Sequence, residues 1–278
     1  MEHSFPLANG LTLKIATRPD GRDGYATARL QKGFRLLDGD QDLVEEAVGF
    51  GIPLLKRGLQ TIFPGSVELT ARRTDSGWEV STLYVLDLVE RVARPGASSV
   101  RPGIIYGIKN YLAAAIRAVP PLRAPLTAAS SGLRRLFGWQ TRYEDAGFRT
   151  SLRLVHRIDP QGGSVRVRLD PGGLAALGVT EVIVMNELGA HFFDRYEDSS
   201  GLRLAGKQIG CWDAVAAGRA AFVSSARRIA FSLGQVEGAR LFRGRELVGE
   251  RLAWAGFGHS FPPDRPEFGY ELRLERRP

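Results

Sequence analysis

Residues 66–86 read SVELTARRTDSGWEVSTLYVL. Val67, Leu69 and Ala71 fall on one face of an extended chain, and Glu68, Thr70 and Arg72 fall on the other. Thr74-Asp75-Ser76-Gly77 supplies turn residues, after which Trp78, Val80, Thr82, Tyr84 and Leu86 share a face. Two runs of period two around a short polar turn specify a β-hairpin.

The same pattern extends in both directions. Asn9-Gly10 is a turn signal, and Leu11, Leu13 and Ile15 then alternate with Thr12 and Lys14. Leu152 to Ile158, the turn Asp159-Pro160-Gln161-Gly162-Gly163, and Val165 to Leu169 make a second hairpin. Val182-Ile183-Val184-Met185 is an unbroken apolar run, as in a strand covered on both faces. Phe222-Val223, Ile229 to Phe231 and Leu252 to Trp254 read as short strands, and Phe268 to Leu274 alternates well enough to close the chain in the sheet. Glycine numbers 33 among 278 residues, above its ordinary share of roughly 7%, as a chain with many turns requires. The expected fold is all-β and mainly antiparallel, a large β-sandwich or supersandwich-like core. In shape this resembles the architecture of galactose-mutarotase-like enzymes. No motif carries kinship, so the resemblance implies an architecture and nothing about activity.

One stretch departs from this pattern. Ile104, Ile108, Leu112 and Ile116 recur every four residues, and Val119-Pro120-Pro121 stops the run. This predicts a helical insertion near residues 103–118, with a shorter helix around residues 132–137. The chain then divides into a first β portion (1–93), a basic helical insertion (94–147) and a second β portion (148–278). The two β portions form one continuous domain.

Totals set further bounds. Hydrophobic residues make up 44% and charged residues 24%, which is globular composition. The single cysteine, Cys211, forbids an intramolecular disulfide. The first residues show no signal-peptide pattern, and no long apolar run occurs. Together these predict a cytoplasmic protein. The formal charge is +8. From Arg91 to Tyr143 there are nine basic residues and no acidic one, so this stretch carries the whole excess. Lys109, Arg117, Arg134 and Arg135, with interleaved aromatics, are its candidates for binding an anionic membrane surface or an acidic partner. Nucleic acid is disfavoured because no binding motif accompanies the charge. Oligomeric state is not set by the sequence.

Many reaction classes lack their motifs. His3, His156, His191 and His259 are far apart, no metal-ligand spacing occurs, and neither a metal nor a cofactor is expected. No phosphate-binding glycine loop and no nucleophile elbow is present. His156 shares a face with Leu152 and Leu154 and is expected in the core. Two acidic clusters remain. Glu45-Glu46 leads into the apolar, glycine-bearing stretch 47–53, and in a strand one carboxylate would face each side. The second cluster follows the buried-looking strand and holds Asn186, Glu187, His191, Phe192 and Asp194, with Trp212 and Asp213 further on. Carboxylates in apolar surroundings serve as general acids, and imidazole titrates near neutrality. Glu187, His191, Glu46 and Glu45 are therefore the acid–base candidates. Asn186, Phe192, Asp194, Trp212 and Asp213 are candidates for holding a small sugar or other polar ligand.

Overall fold

The computed structural model describes residues 2–17, 29–93, 140–210, 212–247 and 253–277. The helical excursion expected near 103–118, and with it Lys109, Arg117, Arg134 and Arg135, lies outside the described residues. Four strands, β1 (Glu2–Pro6), β2 (Leu11–Ala16), β3 (Arg35–Asp38) and β4 (Gln41–Asp42), form a small antiparallel sheet in chain order. The other fourteen strands form one large antiparallel sheet. They are β5 (Gly49–Arg57), β6 (Gln60–Thr74), β7 (Gly77–Ala93), β8 (Gln140–Asp159), β9 (Ser164–Leu169), β10 (Glu181–Leu188), β11 (Arg195–Asp198), β12 (Arg203–Ala205), β13 (Asp213–Ala214), β14 (Arg219–Ser224), β15 (Ile229–Gly234), β16 (Arg240–Leu247), β17 (Ala253–Phe261) and β18 (Phe268–Arg276). Their order across the sheet is β12-β11-β14-β15-β18-β9-β8-β7-β6-β5-β10-β17-β16-β13.

Both expected hairpins are present. β6 and β7 close through Thr74 opposite Gly77, and β8 and β9 pair Ile158 with Val165. β8 begins at Gln140, so the last residues assigned to the insertion are strand.

The large sheet bends over on itself into a sandwich. Phe50 of β5 packs against Phe231 of β15 with ring centroids 5.5 Å apart, and Phe222 of β14 meets Phe257 of β17 at 4.9 Å. The Tyr270 hydroxyl on β18 donates to Asn186 Oδ1 on β10 at 2.9 Å. These strands are distant in sheet order, so side chains alternating to one face meet across two layers. The small sheet docks on β5 by backbone. Phe34 and Phe50 exchange two hydrogen bonds of 2.9 Å, and Gly33 N donates to Val48 O at 2.8 Å. A side chain at position 33 would collide with the Phe50 carbonyl, so this seam requires glycine.

Candidate functional site

β10 runs between β5 and β17. Side chains alternate along a strand, so Asn186 and Glu187 leave β10 on opposite faces. Asn186 points between the layers and is fully buried. Its Oδ1 accepts from Gly51 N at 3.1 Å and from the Tyr270 hydroxyl. Glu187 points to the other face, beside Gly49 of β5 and Gly256 of β17. It is 7% exposed. Burial raises the pKa of its carboxyl to about 8, the Val48 N–H that it accepts pulls the other way, and the negative charge of Glu246 adds to the rise.

Glu246 sits opposite Trp254 across β16 and β17. Trp254 stacks on Trp212, with centroids 4.5 Å apart and planes 18° from parallel. Room for the two rings comes from absent side chains. A Cβ on Gly244 would lie 2.6 Å from Trp254, and one on Gly258 would lie 3.5 Å from Trp212.

Glu45 and Glu46 were expected in a strand. Both instead lie in the turn before β5, closed by Ala47 N donating to Val44 O at 3.0 Å. Glu45 has a positive φ of 51°, which breaks the alternation that would have sent the two carboxylates to opposite sides. The Glu45 carboxylate meets His191 Nδ1 at 3.0 Å. Gly189 makes this possible, because a side chain there would occupy the place of the Glu45 carboxyl. Gly189 N also donates to Leu43 O at 2.8 Å, which holds the segment after β10 against the same turn. One turn thus contacts both candidates: Val48 holds Glu187 and Glu45 holds His191. Glu46, the next residue of that turn, is half-buried.

The remaining candidates have other partners. Asp194 accepts from Ser225 N and Oγ, both at 3.1 Å, and pins its loop to the turn between β14 and β15. Arg227 lies over the Phe192 ring at 5.1 Å. Asp213 faces Arg243 at 4.0 Å, and Arg243 itself stacks on Tyr196. Sequence reasoning missed Glu246 and did not single out Trp254 as a ring beside the site. The only signal for Glu246 was the short alternation Arg243, Arg245, Leu247 against Gly244 and Glu246. Among the described residues no three His, Cys, Asp or Glu side chains group to hold a metal ion, and no helix is long and apolar enough to cross a membrane.

Comparison with known proteins informs the fold. No family model and no curated protein matches the sequence. Among solved structures, the alpha-N-acetylgalactosaminidase of Bifidobacterium bifidum in its GalNAc complex superposes with a TM-score of 0.50 at 13% identity, over 99% of this chain and 36% of that one. The same enzyme with Gal-NHAc-DNJ gives 0.50 at 11% identity. The chain thus spans about a third of that enzyme's length. A galactose mutarotase-like protein from Lactobacillus casei is covered over 99% of its length, at 10% identity and a TM-score of 0.42. What the B. bifidum enzyme shares with this chain is the mainly antiparallel β-sandwich.

Proposed function

We propose that the chain binds a small sugar or related polar ligand beside the end of β10 and moves a proton there with Glu187. The observation that carries this reading is a nearly buried carboxyl whose pKa is raised to about 8, with a second carboxylate, Glu246, close enough to contribute. Such a group keeps its proton at neutral pH and can give it to a ligand oxygen. His191 is the matching acceptor. Its Nδ1 is engaged by Glu45, which orients the ring and leaves Nε2 as the proton-transfer atom. The half-buried Trp212 ring offers an apolar face of the kind on which sugars stack. The B. bifidum enzyme was solved with GalNAc, and its whole activity is not carried over to a chain matching a third of it.

The test is a panel of monosaccharides and small glycans read by thermal shift, since a ligand that binds only the folded state raises its melting temperature. A hit is then followed by turnover. Glu187→Gln is expected to lower the rate by about 10²- to 10⁴-fold while the ligand still shifts the melting temperature. The wild-type rate should fall above about pH 8 as Glu187 loses its proton. Full activity in both Glu187→Gln and His191→Ala, or a panel with no hit, sinks the proposal.

A further inference from the structure

We propose a second ligand site on the opposite layer of the sandwich: a groove between β11 and β12 that binds a doubly charged tetrahedral oxyanion, the phosphate or sulfate group of a small molecule. The groove has a volume of about 330 Å³ and is lined by Arg195, Glu197, Arg203, Leu204, Gln208 and Arg277, among others.

Strand register builds it. Arg195 and Glu197 are two residues apart on β11 and share a face, and Arg203 of β12 pairs directly with Glu197. Tyr196, between them, turns the other way into the core. Arg277, just past the end of β18, reaches across and pairs with Glu197. Three guanidinium groups therefore converge on one carboxylate. Its pKa is held below the usual range, first by the Arg277 hydrogen bond and also by the charges of Arg203 and Arg195. Arg277 and Glu197 neutralise each other, which leaves two positive charges. Among the described residues, neither Arg195 nor Arg203 closes an ion pair of its own, and both are exposed. Gln208 accepts from Ala205 N through Oε1 at 3.3 Å, so its amide hydrogens remain as donors toward the groove.

The ligand chemistry follows from this inventory. Two planar, permanently charged forks on adjacent strands match the paired oxygens of a phosphate or sulfate group and hold it bidentately. A surplus of two positive charges matches a dianion better than a single carboxylate. The rival explanation is that basic residues on the short edge strand β12 merely deter pairing with another chain. An edge with that role alone would not distinguish a phosphate from an acetate.

Calorimetric titration of the full chain decides between them, with ionic strength held constant by chloride and the pH near 8, above the second pKa of inorganic phosphate and that of a phosphate monoester, about 6. The probes are inorganic phosphate, a hexose phosphate and acetate. Phosphate is expected to bind at least about tenfold more tightly than acetate. The Arg195→Gln/Arg203→Gln double variant should lose that preference while its melting temperature in chloride stays unchanged, since both side chains are on the surface. Hexose phosphate binding more tightly than inorganic phosphate identifies an ester as the ligand. Equal affinity identifies the free anion. No heat with phosphate, equal binding of acetate, or full phosphate affinity in the double variant overturns the proposal.

Discussion

The space between the two layers has an aromatic half and a polar half. In the first, Phe222, Phe231 and Phe257 pack ring against ring, with centroids 4.9 to 5.6 Å apart, and Phe193 and Tyr196 extend the cluster. In the second, Tyr84, His156, Asn186, His259 and Tyr270 are all buried. Asn186 Oδ1 serves two donors, while its Nδ2 and the Nδ1 of His259 meet no partner among the described residues. The rings of the first half contribute free energy by leaving water, whatever the pH. The groups of the second half contribute only while each keeps one protonation state and its hydrogen bonds. Equal burial on the two sides therefore has unequal consequences.

Truncation is the strongest way to break this comparison. Phe257→Ala should cost about 4 kcal/mol, as measured by urea unfolding, and should cost the same at pH 6 and pH 8. Asn186→Ala should cost about 2 to 3 kcal/mol, because it strands the Gly51 N–H and the Tyr270 hydroxyl without their acceptor.

Titration sharpens it. Burial lowers His156 and His259 from 6.5 to about 4. Between those values the unfolded chain binds protons that the folded chain refuses. Stability therefore falls as the pH drops, by about 1.4 kcal/mol per pH unit for each histidine. Glu187 acts in the opposite sense. Its pKa rises from 4.5 to about 8, so the folded chain keeps a proton that the unfolded chain has lost, and stability falls as the pH rises, with the same slope. Above pH 6.5 only the Glu187 effect of these three remains, which places their joint optimum near 6.5. Glu187→Gln should flatten the alkaline limb and steepen the acid limb between about pH 4.5 and 6.5, where Glu187 offsets one of the two histidines. A Glu187→Gln variant with an unchanged alkaline limb contradicts the assignment.

The smallest effect is expected outside the core. Gly189→Ala should cost less than about 1 kcal/mol, because the Glu45 carboxylate in its way is the far end of a flexible side chain. Moving that carboxylate breaks its contact with His191, and a change in the His191 ring resonances by NMR reports it. Unmoved resonances would mean that the pair tolerates the methyl group.

What the sequence revealed follows the same division. The hairpins around residues 74–77 and 159–163 were readable because alternation and turn residues sit next to one another in the chain. The apolar run at 182–185 did mark a strand with neighbours on both sides. β5 and β17 were harder. Gly49, Gly51 and Pro53 interrupt the pattern of β5, and all nine residues of β17 are buried, so no polar face remains to alternate with. Asn186 and Glu187 were grouped in one candidate site, although their adjacency in a strand sends them to opposite faces. The left-handed backbone at Glu45 had no signature in its residue type, since it is imposed by contacts with the segment after β10. The pairing of Glu45 with His191 spans 146 positions, and no local pattern encodes such a distance.

β18 has a consequence for how the molecule is made. It lies in the middle of the large sheet, between β15 and β9, although it follows all the other described strands in sequence. During synthesis, the other described strands of this sheet leave the ribosome before the one that joins its two groups. Until residue 276 emerges, β15 and β9 each present a row of unpaired backbone groups. Exposed edges of this kind recruit strands from neighbouring chains. The nascent protein thus passes through a stage in which two strand edges await the same partner, and the delay before β18 arrives sets how long they stay open.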